Sequence, residues 1–216
     1  MIMKIKESHT YKLLVEGNDD QHVVWALCEK HNVPESFDVI DCESVENLLK
    51  AFEVRLKIAD NNQRIGIVVD ADVNLKSRWD SIVSILKKTG KYDCDNISLP
   101  QDGLILEPTD NTYPKVGIWL MPDNNQNGML EDFMATLVAP DDALMRKSED
   151  VLTELETEGI QKYKPVHRSK AKIHTYLAWQ DVPGRPMGQA ITANILNADS
   201  ELTVKFAQWL KGLFSV

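Results

Sequence analysis

The chain has 216 residues, 43% of them hydrophobic and 26% charged, the balance of an ordinary globular protein rather than a disordered or fibrous one. Its formal net charge of −9 argues against a surface coated for nucleic-acid binding, because phosphate affinity draws on a basic field. A cluster of carboxylates that binds divalent cations stays compatible with that count, which omits the metals.

The length fits a single domain overall, read here as an α/β core over 1–138 and a C-terminal helical extension over 139–216 that packs on it. "YKLLV" (11–15) has the length and apolar character of a strand, and 19–32 follow with Val23, Val24, Leu27 and Cys28 at helical spacing. "SFDVIDC" reads as a second strand, and Ser44 as the N-cap of a helix whose buried stripe is Val45, Leu48, Leu49, Phe52 and Leu56. "RIGIVVDAD" is a third strand, and Leu75, Trp79, Ile82, Val83 and Leu86 line the next helix, which ends at Gly90. Three strand–helix pairs with short loops imply a mostly parallel, Rossmann-like sheet with helices on both faces.

After Gly90 the pattern changes. "GLILEP" and "KVGIWLMP", separated by the turn-rich "TDNTYP", predict an antiparallel pair at one edge of the sheet. Helices are predicted over 128–138, 143–158, 169–179, 187–198 and 202–214. Their apolar spacing assigns Trp25, Trp79, Trp179 and Trp209 to the core in preference to the alternative, base-stacking platforms.

No apolar run approaches the ~18 residues needed to span a bilayer, and "MIMKIKESHT" lacks a signal-peptide core, so a cytoplasmic protein with no membrane partner is expected. Cys28, Cys42 and Cys94 are well separated and form no metal-binding or disulfide pattern. The histidines show no zinc motif, and neither a P-loop nor a G-x-G-x-x-G is present.

Ligands of open parallel sheets bind at the carboxyl ends of the strands. Glu16 stands at that end of the first strand, and Asp70 and Asp72 at that of the third. Strand alternation would aim both members of "DAD" to one face and Ala71 away from it. Gly17 would let the backbone turn tightly behind Glu16, and Asp20 would lie one helical turn on. Converging carboxylates repel by roughly 4 kcal/mol per pair at about 4 Å, and a hard cation, Mg²⁺ or Mn²⁺, offsets that. Helix-dipole stabilisation is the competing explanation for Asp19 and Asp20.

"LLVEGNDD" followed by "IGIVVDAD" resembles the Toprim domain of topoisomerases, primases and overcoming-lysogenisation-defect nucleases. "GIWLMPDNNQNGMLEDF" and "KAKIHTYLAWQDVPGRPMGQAI" resemble, more narrowly, a family of small prokaryotic Toprim-like proteins. The resemblance implies divalent-metal phosphodiester chemistry, with Glu16 as metal ligand or general acid/base and Asp70 and Asp72 as ligands. Asp20 matches a second acid of the nucleases. Glu131 or Asp132 would serve a second metal, and Lys170 or Lys172 would be the catalytic lysine; the resemblance does not choose within either pair. "KYKPVHRSKAK" is the most basic stretch of the chain, and Lys162, Lys164, Arg168, Lys170 and Lys172 would contact a nucleic-acid backbone there. A solvated helix start is the plainer reading of the same charges.

The resemblance thus implies a Mg²⁺- or Mn²⁺-dependent nuclease acting on DNA or RNA. The alternative is a metal-binding accessory module working with a separate partner such as an ATPase. Assembly as a homo-oligomer is open under both.

Overall fold

The computed structural model describes residues 8–214. The first seven residues, which include most of the stretch read for a signal peptide, and residues 215–216 lie outside the described residues.

Five strands form one sheet in the order β2-β1-β3-β5-β4. β1 (Tyr11–Val15) lies between β2 (Phe37–Asp41) and β3 (Arg64–Asp70), and β3 pairs with β5 (Lys115–Met121), all in parallel. β4 (Leu104–Leu106) runs antiparallel at the edge beside β5. The three crossovers are α1 (Asn18–His31), α2 (Val45–Leu56) and α3 (Leu75–Thr89). α2 begins at Ser44, whose hydroxyl accepts from the Asn47 N–H, and α3 stops at Gly90 in the left-handed region, φ 64°. Both boundaries are those the sequence predicts.

Alternation along the central strands divides the core into two layers. Leu14, Ile65, Ile67, Val69, Ile118 and Leu120 face α2 and α3. Leu13, Val15, Val68, Trp119 and Met121 face the other layer, built from α1 and the later helices α4 (Leu130–Ala135), α6 (Arg168–Ala178), α7 (Met187–Thr192) and α8 (Glu201–Phe214). α5 (Ala143–Glu158) lies outside α6, and a 3₁₀ turn, Pro165–His167, leads into α6. Among the described residues no helix is long and apolar enough to cross a membrane.

α8 lies directly on the sheet because Gly66 and Gly117 are register partners and leave a flat floor. A Cβ on Gly117 would meet Leu213 Cδ2 at 2.3 Å, and one on Gly66 would meet Leu13 Cδ1 at 2.6 Å and Leu213 Cδ2 at 3.0 Å. Trp209 extends this contact to the edge, where its indole N–H donates to the Leu104 carbonyl at 3.0 Å.

Three readings need correction. α4 and α7 are shorter than their periodicity predicts. Gly128, at φ 143°, is held in an antiparallel bridge with Asp72, and Asn194, at φ 58°, ends the turn after α7. Of the four tryptophans assigned to the core, only Trp209 is buried, at 3% exposure; Trp79 is half-buried, and Trp25 and Trp179 are 43% and 39% exposed. Periodicity places a residue on a helix face but does not say whether a neighbouring element covers that part of it.

Candidate functional site

At the carboxyl ends of β1 and β3 an open cleft of about 410 Å³ is lined by Glu16, Asp20, Asp70, Asp72, Glu131 and Lys170, with Asp19, Glu43 and His167 at its border. The sheet order accounts for the convergence, since β1 and β3 are neighbours, Glu16 directly follows β1 and Asp70 ends β3, each framed by the next helix or turn.

Backbone hydrogen bonds connect these acids. Glu16 Oε1 accepts from the Asp70 N–H at 2.7 Å, and Asp70 Oδ1 accepts from the Leu130 N–H at 2.9 Å. The second bond ties the end of β3 to the first residue of α4, which brings Glu131 into the cleft. Asp20 Oδ2 accepts from the Gly17 N–H at 3.1 Å, the return half of a capping box at the start of α1. Gly17 itself is extended, at φ −152° and ψ −179°, so the tight turn expected of it does not occur.

Asp72 reaches the cleft by a route other than strand alternation. β3 ends at Asp70, and Asp72 takes a left-handed conformation at φ 53°, exchanging two 2.8 Å backbone bonds with Gly128. Its carboxylate pairs with Arg78 Nη2 at 2.6 Å, while Arg78 Nε donates to the Asp70 carbonyl at 3.0 Å. Arg78, from α3, thus braces both ends of "DAD". Its signal in the sequence was position alone, the first turn of the helix that follows those acids.

The structure separates the two ambiguous pairs. Glu131 is 4% exposed and lines the cleft, where Lys170 Nζ pairs with its Oε1 at 3.1 Å. Asp132 caps its own helix, accepting from the Met129 N–H at 2.9 Å and from the Ser169 hydroxyl. Lys172 pairs with Glu149 of α5 at 2.9 Å, and Arg168 with Glu149 and Glu156 at 2.7 and 2.9 Å. Lys162 and Lys164 are exposed and do not line the cleft. Of the five basic residues, therefore, only Lys170 borders the acids. His167 and Glu43 border them too; His167 lies in the basic stretch singled out above, whereas nothing in the local sequence pattern marked Glu43.

The site is under electrostatic tension. Burial, then the charges of Glu16, Asp20 and Glu131, push the Asp70 carboxyl up to about 9. Burial, then Glu16 and Glu131, push Asp20 up to about 7. Burial also raises Glu16, against the bond from Asp70 and the charge of Arg78. Burial alone would lower Lys170, but its bond to Glu131 and the charges of Asp19 and Asp20 outweigh that and raise it. Negative charge exceeds local compensation, and the donor set is all oxygen, which suits a hard divalent cation. Among the described residues no three His, Cys, Asp or Glu side chains already stand together as a metal-holding group. Glu16, Asp20 and Asp70 each direct one oxygen to a backbone N–H instead.

Fold and site together define a mixed α/β protein with a carboxylate-lined cleft at the carboxyl end of a mostly parallel sheet. The model of the family described as "Protein of unknown function (DUF3226)" matches residues 10–215, and the chain belongs to that family. No curated protein matches the sequence. Solved structures of the C-terminal region of the Xanthomonas campestris pv. campestris OLD protein are similar to it. The one phased with platinum is 13% identical, with a TM-score of 0.48 over 96% of this chain and 94% of that one. The one phased with mercury is 15% identical, with a TM-score of 0.47 over 96% and 97%.

Proposed function

We propose that the chain is a divalent-metal-dependent phosphodiester enzyme, a nuclease acting on DNA or RNA. One observation carries the proposal: Glu16, Asp20, Asp70 and Glu131 gather in a single cleft, where burial and mutual repulsion drive the carboxyls of Glu16, Asp20 and Asp70 upward and a lysine stands at their border. Such a cleft holds protons at neutral pH unless a cation replaces them.

Glu16, Asp20, Asp70 and Glu131 would hold Mg²⁺ or Mn²⁺, with Asp72 joining them if Arg78 yields its carboxylate. When bound, the cation supplies Lewis-acid charge to a phosphoryl oxygen. The remaining work falls to the chain. Lys170 is half-exposed at the mouth, where it can exchange Glu131 for a phosphate oxygen and neutralise charge that grows in the transition state. Arg78 fixes Asp72 and the end of β3, which keeps the acids in register. His167 stands where it can contact the same phosphate.

A second reading, a metal-binding accessory module that acts beside a separate partner such as an ATPase, is favoured by a different observation. Arg168, Lys170 and Lys172 are already paired with the chain's own acids, which leaves less positive charge to draw in a polyanion.

Incubation with Mg²⁺ or Mn²⁺ and supercoiled DNA, single-stranded DNA or RNA, beside Glu16→Ala and Asp70→Ala, tests the proposal. Cleavage by wild type that both variants lose supports the enzyme. Metal binding in calorimetry without cleavage turns the reading to the accessory module, and absence of binding at millimolar metal removes the site.

A further inference from the structure

Beside the acidic cleft, between α1 and α7, lies a second pocket of about 380 Å³ that the chemistry above leaves unused. Asn18 and Asp19 line both cavities, so the two are adjoining compartments. The wall of the second is the indole of Trp25, 43% exposed, with His22 packed edge-on against it at 5.2 Å between ring centroids and 76° between planes. His22 Nδ1 is 2.8 Å from the Asn18 carbonyl, which can only accept, so Nδ1 carries a proton there and the ring is fixed in orientation. Gly188 lets α7 approach closely: a Cβ at that position would meet the His22 carbonyl oxygen at 2.6 Å. The pocket is therefore built mainly from the packed helices α1 and α7, with Pro186 of the preceding turn at its edge.

Its charge selects what can enter. Asp19 and Glu29 on its lining repel a phosphate, whereas Trp25 offers a π face and His22, Asn18 and Gln189 offer hydrogen-bonding groups to a flat, uncharged heterocycle. The cleft next door has the opposite arrangement, with Lys170 and the cation-seeking acids suited to a phosphate. One phosphate and the base attached to it match the two compartments in order.

Resting on the phosphodiester-enzyme reading above, we infer that this pocket receives an unpaired nucleobase of the substrate strand, stacked on Trp25, and so selects single-stranded nucleic acid. A base held in a duplex cannot leave its stack to enter without the cost of unpairing.

Fluorescence anisotropy with short labelled single-stranded DNA and RNA oligonucleotides, in Ca²⁺, tests this without any need for turnover. Each oligonucleotide is compared with its duplex and with a set carrying one abasic position at a time. Stacking on an aromatic residue is worth about 1–3 kcal/mol per base, or about 5- to 150-fold in affinity. One abasic position should cost wild type that factor. Trp25→Leu should show the same loss on the intact strand and no further loss at that abasic position. Trp25→Phe, which keeps a ring, should retain part of the coupling and decides the matter if the leucine variant fails to fold. Trp179→Leu, an equally exposed tryptophan outside the pocket, should change nothing. A flat abasic scan, an abasic loss that persists in Trp25→Leu, or a preference for duplex overturns the pocket assignment and leaves the enzyme reading standing. If wild type binds neither strand nor duplex, both fall together.

Discussion

Replacing Asp20 with asparagine should stabilise the protein in the absence of metal, and only at neutral and alkaline pH. Asp20 is 9% exposed, and burial followed by the charges of Glu16 and Glu131 lifts its carboxyl from 3.8 to about 7. In the unfolded chain the group ionises near its ordinary value. Between about pH 4 and about pH 7 the folded state therefore binds more protons than the unfolded one, and stability falls as pH rises. Below that window the group is protonated in both states and contributes no penalty; above it the penalty is complete, with an upper limit of about 4 kcal/mol. Relaxation of the open cleft, and loss of a helix-dipole contribution of ~0.5 kcal/mol, reduce the expected gain to about 2 kcal/mol. Asparagine keeps the shape, and its side-chain carbonyl can still accept the Gly17 N–H. For a chain of this size the gain corresponds to a rise in Tm of about 4–8 °C. Scanning calorimetry in EDTA at about pH 8 and about pH 4 measures it. Mg²⁺ should then reverse the ranking, because saturation of an intact site at a hundred times Kd adds about 2.7 kcal/mol to wild type. A variant less stable than wild type at pH 8, or stabilised equally at both pH values, would refute the electrostatic account of the cleft.

Lys170→Ala should reduce cleavage by ~10²- to 10³-fold at saturating metal, the usual effect of removing a charge stabiliser from a transition state, while Lys172→Ala stays close to wild type in a parallel nuclease assay. Gly117→Ala should destabilise by about 1–3 kcal/mol in urea unfolding, because the added methyl meets Leu213 of α8. Gly90→Ala, where nothing lies within 4 Å, would cost only the strain of its left-handed backbone. Lys12→Met should lower Tm by ~6–12 °C through loss of about 3 kcal/mol, since it removes the 2.6 Å cationic partner of the buried Asp38 carboxylate. The N–H groups of Ser8 and His9, the Ser8 hydroxyl and the His9 ring still bond Asp38, which places the effect at the low end for a broken buried pair.

Sequence by itself determined the strands, the crossovers and the acids at the strand ends, because these follow from local apolar periodicity, capping residues and the rule that parallel sheets present their carboxyl ends to ligands. Glu16, Asp70 and Asp20 were legible on that basis. Tertiary structure decided the rest. Glu131 and Asp132 are adjacent in one helical turn and chemically alike; the bond from the Leu130 N–H to Asp70 seats the start of α4 so that Glu131 meets Lys170 in the cleft while Asp132 turns to the Met129 N–H and Ser169. Lys170 and Lys172 share a helix, and the placement of α5 beside it turns Lys172 to Glu149 while Lys170 is left for Glu131. Arg78 and His167 had only a positional signal, and Glu43 and the exposure of Trp25 had none, since their roles depend on which elements lie opposite them. Periodicity records the face of a helix, whereas a site is made by distances between faces, and those are fixed only when the sheet order and the glycine floor under α8 bring the layers together.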